Sequence, residues 1–115
     1  MKNFKKICFH KKITIKKSLE ILKKTGTRCI LIVSKNLLLE GSLTDGDIRK
    51  ALLRKINLNE TIDKIINNKP KYILHNQISN KDLIQKHLLN LPLLPVLKNK
   101  KIIKVISQVD LIENK

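Results

Sequence analysis

A chain of 115 residues and 13.3 kDa has room for one ordinary domain or two very small ones sharing a core, which excludes an enzyme with separate cofactor and substrate halves. Its 42% hydrophobic content suits a globular core, but Phe4, Phe9 and Tyr72 are its only aromatics, so the packing must be aliphatic. The formal net charge of +16 raises polyanion binding as a function, and the kind and spacing of the basic residues argue against it.

Of the 25 basic residues 22 are lysine, dispersed mostly in pairs, and only Arg28, Arg49 and Arg54 offer a bidentate fork. Aromatic platforms for single strands are lacking. Lys, Ile, Leu and Asn supply 70 of the 115 residues, the bias an AT-rich genome imposes without selection for binding. A solvated basic surface is therefore preferred over a nucleic-acid interface. The longest apolar runs, Cys29 to Val33 and Leu91 to Leu97, fall far short of the ~20 residues that cross a bilayer. Met1 to Lys17 scatters its lysines and has no secretory pattern, so a cytoplasmic protein with no membrane partner is expected. Cys8 and Cys29 read as free thiols with no metal. No phosphate-cradling glycine loop, H-E-x-x-H or serine elbow occurs, so no catalytic residue is assigned and the chain is expected not to be an enzyme.

In chain order, Ile15, Leu19 and Leu22 recur at helical spacing before Gly26, which can end a helix in the left-handed conformation. Arg28 to Val33 is a buried strand, Ser34-Lys35-Asn36 a polar turn, and Leu37 to Leu43 the return strand. Thr44-Asp45-Gly46-Asp47 then supplies a capping box to a helix with Ile48, Ala51, Leu52 and Ile56 on its apolar face. Residues 57–71 form a connector, with Ile62, Ile65 and Ile66 on one face of a short helix stopped before Pro70. A strand near Tyr72 to Leu74, a helix from about Asn80 to Leu89, strands at Leu93 to Leu97 and Ile102 to Ile106, and a second cap at Ser107 and Asp110 complete the chain. Its last helix is expected to be shorter than its counterpart, because Lys115 aligns with Leu52.

These elements repeat. Residues 15–48 align without a gap on 78–111, matching Ile15/Ile78, Ile21/Ile84, Lys23/Lys86, Leu31/Leu94, Val33/Val96, Lys35/Lys98, Asn36/Asn99 and Asp47/Asp110. The expected fold class is α/β (α+β). Two pseudo-symmetric repeats, 1–56 and 72–115, each contribute a small β-sheet flanked by helices.

Gly41-Ser42-Leu43-Thr44-Asp45-Gly46-Asp47-Ile48, Leu94-Pro95-Val96-Leu97 and Val105-Ile106-Ser107-Gln108-Val109-Asp110-Leu111 together resemble the signatures of a tandem CBS domain pair, the Bateman module. Lys104 departs from that pattern, standing where the family usually has glycine. The Thr44-Asp45-Gly46-Asp47-Ile48-Arg49 form is similar to the CBS pair that precedes a sugar nucleotidyltransferase domain in some bacterial pathways. The resemblance implies a regulatory, nucleotide-sensing module, a homodimer, and AMP, ADP or ATP as ligand with no required cofactor. It implies an attached or partner enzyme, with sugar-nucleotide synthesis as the candidate.

A hydroxyl with an acid three residues on needs no ligand to be useful, since the pair stabilises a helix start by ~1 kcal/mol. The resemblance adds a second role. It implies that Asp47 accepts from a ribose diol, that Thr44 meets the sugar-phosphate junction, and that Arg28 and Cys29 lie at the strand edge near the base. Ser107 and Asp110 are the second-repeat counterparts, with Leu94 as a backbone contact, and Lys104 either crowds that pocket or supplies a cation. The resemblance also implies phosphates toward nearby basic side chains, with Arg49 a candidate phosphate partner for which a solvent-exposed helix position is the preferred reading, and His75 and His87 read as surface or rim residues. A purely structural tethering module with empty clefts, or a basic nucleic-acid-binding protein, are the competing functions.

Overall fold

The lysine-rich start of the chain, which has no legible period, makes a 3-10 turn over Phe4–Ile7 and then a two-residue strand, β1 (Cys8–Phe9). A computed structural model describes Met1 and residues 3–113, and resolves them into two units, 5–70 and 1–4 with 71–115.

In the unit of 5–70, helix α1 (Ile15–Thr25) starts where the Thr14 hydroxyl accepts from Lys17 N. It ends at Gly26, whose φ of 71° lets its N–H reach Leu22 O. Its buried stripe is Ile15, Ser18, Ile21 and Leu22, and Leu19 is only half-buried. Ser18 is tolerated there because its Oγ donates to Ile15 O at 2.6 Å. β2 (Cys29–Val33) is buried at every position, as its unbroken apolar run requires. It lies between β1, parallel to it at Leu31 and Ile32, and β3 (Leu39–Thr44), antiparallel to it. Thr44 passes directly into α2 (Asp45–Leu53). Ile48 and Ala51 of α2 are buried, Leu52 is exposed, and Ile56 lies past the helix end.

The connector does not form the expected helix beyond one 3-10 turn, Ile62–Lys64, because its backbone is used elsewhere. Ile62 N donates to Ile13 O, Asp63 N to Lys11 O, and Asn67 pairs with Ser42 in both directions. Asp63 also accepts from Thr61 Oγ1 and ion-pairs with Lys12 at 2.9 Å. The Thr61 hydrogen bond and then Lys12 hold its carboxyl down at about 2. Residues 57–70 are thus built into the unit of 5–70.

The second unit repeats the plan. β4 (Ile73–Leu74) runs parallel to β5 (Leu93–Lys98), which pairs with β6 (Lys101–Ser107). α3 (Lys81–Leu88) is capped by the Asn80 side chain, and α4 (Gln108–Glu113) follows β6. The expectation placed on Lys115 lies outside the described residues. Ile73, Ile84, Leu88, Leu94, Val96 and Ile106 form its core, with Leu83 and Leu111 against them.

The hairpins show that the two repeats are not in the gapless register. Ile30 faces Leu43 in the first, whereas Leu94 faces Ile106 in the second. Leu94 therefore corresponds to Ile30, and Val96 to Ile32. The shift has a cause in the turns. The first hairpin closes through Ser34 N to Leu38 O, with Leu37 at φ 60°, whereas the second places only Asn99 and Lys100, at φ 53° and 68°, between the paired Lys98 and Lys101. A turn one residue shorter re-phases the incoming strand by one residue.

Candidate functional site

Residue by residue, the first-repeat candidates converge on the junction of β2, β3 and α2. Cys29 is the register partner of Thr44, and Arg28 O accepts from Asp45 N at 3.1 Å. Thr44 is extended, φ −100° and ψ 163°, and caps α2. Its Oγ1 accepts from Asp47 N at 3.1 Å, and its own N–H donates to Asp47 Oδ2 at 3.0 Å. This leaves Oδ1 of a half-buried carboxylate, and the second lone pair of Oδ2, with no hydrogen bond among the described residues.

Cys29 contributes backbone and packing only. Its side chain is buried, and burial pushes the thiol up to about 12, against a lowering contact with the Leu43 backbone and with help from the charges of Asp47 and Asp45. β1 pairs with β2 only at Leu31 and Ile32, so this sheet edge carries no strand beside Cys29. Arg28 is exposed. Arg49 is also exposed and folds over the first turn, with Nη2 3.7 Å from where a Cβ on Gly46 would stand.

The second repeat has the same cap with one addition. Ser107 N donates to Asp110 Oδ2 at 2.8 Å, and Asp110 N to Ser107 Oγ at 3.2 Å. The Met1 ammonium also reaches Oδ2, at 2.7 Å, and Val105 O at 3.1 Å. Burial alone would raise the Asp110 carboxyl, but the ammonium and the Ser107 N–H outweigh it and hold it below its ordinary value. Asp110 is thus already engaged by a cation, whereas Asp47 has no ion pair among the described residues. Leu93 is the register partner of Ser107, so Leu93 rather than Leu94 corresponds to Cys29, and the Leu94 side chain is fully buried in the core.

Lys104 does not crowd a pocket wall. It is exposed on β6 opposite Val96, as Gly41 is opposite Ile32. His75 is exposed and His87 half-buried, and no group of potential metal ligands forms among the described residues.

Four further residues border the site without belonging to any motif. Lys50, Leu53, Arg54 and Ile65 line, with Asp47, a cavity of ≈390 Å³ in the unit of 5–70. Positions 47, 50 and 54 share one helical face, a signal present in sequence but lost among the many lysines.

Residues 4–54 match the family model of the CBS domain. None of the curated proteins compared with the chain matches it in sequence. Among solved structures it is similar to the CBS domain pair of protein MJ0100 in complex with 5′-methylthioadenosine and S-adenosyl-L-methionine. That match has a TM-score of 0.75 and 23% identity over 94% of this chain and 86% of that one. It is also similar to CbpB in complex with c-di-AMP, with a TM-score of 0.74 and 15% identity over 93% and 74% of the two chains. A third match is the CBS domains of a transcriptional regulator from Streptococcus pneumoniae, with a TM-score of 0.68 and 16% identity over 95% and 89%. No described helix is long and apolar enough to cross a membrane. The first repeat thus carries the profile of the CBS domain, and the chain has the fold of solved CBS domain pairs over nearly its whole length.

Proposed function

We propose that this CBS pair is a regulatory module, not itself a catalyst, that binds an adenosine-type nucleotide at the first repeat and biases an attached or partner enzyme. AMP, ADP and ATP are the candidate ligands, and a sugar nucleotidyltransferase is the candidate partner. The observation that carries the reading is Asp47. One of its oxygens is fixed by the Thr44 N–H, the other has no hydrogen bond among the described residues, and the side chain borders a cavity of ≈390 Å³. A carboxylate held in this way is a preorganised acceptor for a vicinal diol, because its rotamer is set before the ligand arrives. The solved relatives that hold S-adenosylmethionine, methylthioadenosine and c-di-AMP support an adenosine-type ligand. Regulation follows by population shift, to the extent that the ligand binds one arrangement of the module better than another.

Calorimetry with adenine nucleotides in physiological salt tests the reading. A saturable heat that fits one site per chain is expected, since Asp110 is already paired with the Met1 ammonium. Absence of binding at millimolar ligand would make the caps purely structural and the module a tether.

We also propose that the chain is a homodimer. Leu53 is 81% exposed and Leu52 40% exposed on α2, a cost in water that a helical interface removes. Sedimentation equilibrium at tens of micromolar should return twice the chain mass, and a strict monomer there would refute the dimer.

A further inference from the structure

Each sheet is met on its outer edge at the same place, but by different parts of the chain. In the first repeat Ser42 faces Leu31, and its outward N–H and C=O both pair with Asn67 of the connector. Ser42 N donates to Asn67 O at 3.1 Å, and Asn67 N to Ser42 O at 2.9 Å. In the second repeat the hairpin register puts Val105 in the place of Ser42, since Leu93 faces Ser107 as Cys29 faces Thr44. Val105 O accepts from the Met1 ammonium at 3.1 Å. Met1 N therefore takes the position of Asn67 N, and the amino terminus stands in for the connector on this edge.

The replacement brings a charge to the cap. Met1 N also donates to Asp110 Oδ2 at 2.7 Å, and the same oxygen holds the Ser107 N–H at 2.8 Å. Asp47 Oδ2 takes only the Thr44 N–H among the described residues. The second lone pair of Oδ2 is thus what separates the two caps, open on Asp47 and filled on Asp110. Paired acceptance from a ribose diol requires it. The ammonium is 13% exposed and the carboxylate 25%, so water screens this pair less than an ordinary surface pair, and a ligand that takes the carboxylate must displace the amine.

The contact is also releasable. Asn67 is held by two backbone bonds inside a segment continuous at both ends, whereas Met1 reaches the edge and the cap through one nitrogen. As an ammonium that nitrogen has three donors and serves Val105 O and Asp110 Oδ2 together. As an amide it has one N–H and no charge, and cannot serve both.

We propose that the amino terminus is an internal plug of the second-repeat site: the Met1 ammonium holds the Asp110 carboxylate closed to ligand, and loss of its charge or its place opens a second nucleotide site. The inference rests on the nucleotide-sensing reading and adds to it the device that keeps one repeat silent.

The test compares the full chain with a free amine, an Nα-acetylated form, and a form carrying Gly-Ser before Met1, which moves the ammonium by about 7 Å. Asp110→Asn with and without acetylation completes a double-mutant cycle. Acetylation should lower the melting temperature of the parent by about 2–5 °C and leave that of Asp110→Asn unchanged. ADP should titrate one site per chain in the parent, two in the acetylated and extended forms, and one in acetylated Asp110→Asn. Equal melting shifts on acetylation in parent and Asp110→Asn would overturn the contact between amine and carboxylate. Two sites in the parent, or one site in every form, would overturn the plug while leaving the Asp47 sensor in place. Absence of binding in every form at millimolar ADP would overturn both readings.

Discussion

Gly41→Ala should destabilise the protein by about 1–3 kcal/mol, the usual penalty for forcing extra volume into a packed site. Gly41 is buried on β3, and a Cβ built there would stand 2.8 Å from Asn67 O and 3.3 Å from Ile66 Cδ1. The first neighbour is backbone, which cannot rotate away as the end of a side chain can. Asn67 O is moreover the acceptor for Ser42 N at 3.1 Å, and Asn67 N donates to Ser42 O at 2.9 Å. Relieving the clash therefore means pushing residues 66–67 off the edge of β3 and breaking both bonds. Gly41→Val should cost more. The same reasoning accounts for Lys104, which occupies the equivalent hairpin position and is exposed, so Lys104→Ala should change stability by no more than ~0.5 kcal/mol. Thermal melts of the variants decide the matter. Equal effects at the two positions, or a neutral Gly41→Ala, would refute the close-approach explanation of this glycine.

That contrast shows what the sequence makes legible and what it hides. The caps could be read because a hydroxyl and an acid three residues apart after an apolar strand have few other uses, and both boxes form as expected. The strand phase could not. β2 and β5 are apolar at nearly every position, so sliding one against the other by a single residue still lays aliphatic on aliphatic. Only the turn geometry and the partner strand fix the register. The gapless alignment therefore pairs Leu94 with Leu31, whereas the hairpins make it equivalent to Ile30. β1 is not legible because two residues beside lysines give no alternation, and its pairing with β2 is non-local. The connector kept only one helical turn because its N–H groups find partners on residues 11, 13 and 42, an outcome local propensity does not encode. Lys50 and Arg54 were invisible for a third reason. In a chain with 22 lysines a basic residue carries little information until a cavity is seen to have it on its wall.

Asp47→Asn should separate the two duties of this carboxylate, with little change in melting temperature and a loss of ribonucleotide affinity worth ~1.5–3 kcal/mol, roughly ten- to a hundredfold. The structural duty uses one acceptor oxygen, since Asp47 Oδ2 takes the Thr44 N–H, and the carbonyl oxygen of Asn can do the same. The Thr44 hydroxyl accepts from the backbone N–H of residue 47, which the substitution leaves unchanged. The proposed binding duty would use the remaining oxygen as a second acceptor, and in Asn that position would be a donor amide. A 2′-deoxynucleotide should lose part of the same energy on the parent protein and little on the variant, because the hydroxyl and the carboxylate oxygen are two ends of one interaction. The corresponding Asp110→Asn tests the asymmetry between the repeats. Asp110 Oδ2 holds both the Ser107 N–H and the Met1 ammonium, so its substitution should lower stability through the lost ion pair and leave nucleotide affinity near that of the parent. Calorimetric titration and melting of both variants give the answer. Equal affinity in Asp47→Asn and parent would make Asp47 a helix cap and nothing more, and a loss confined to Asp110→Asn would move the ligand to the second repeat.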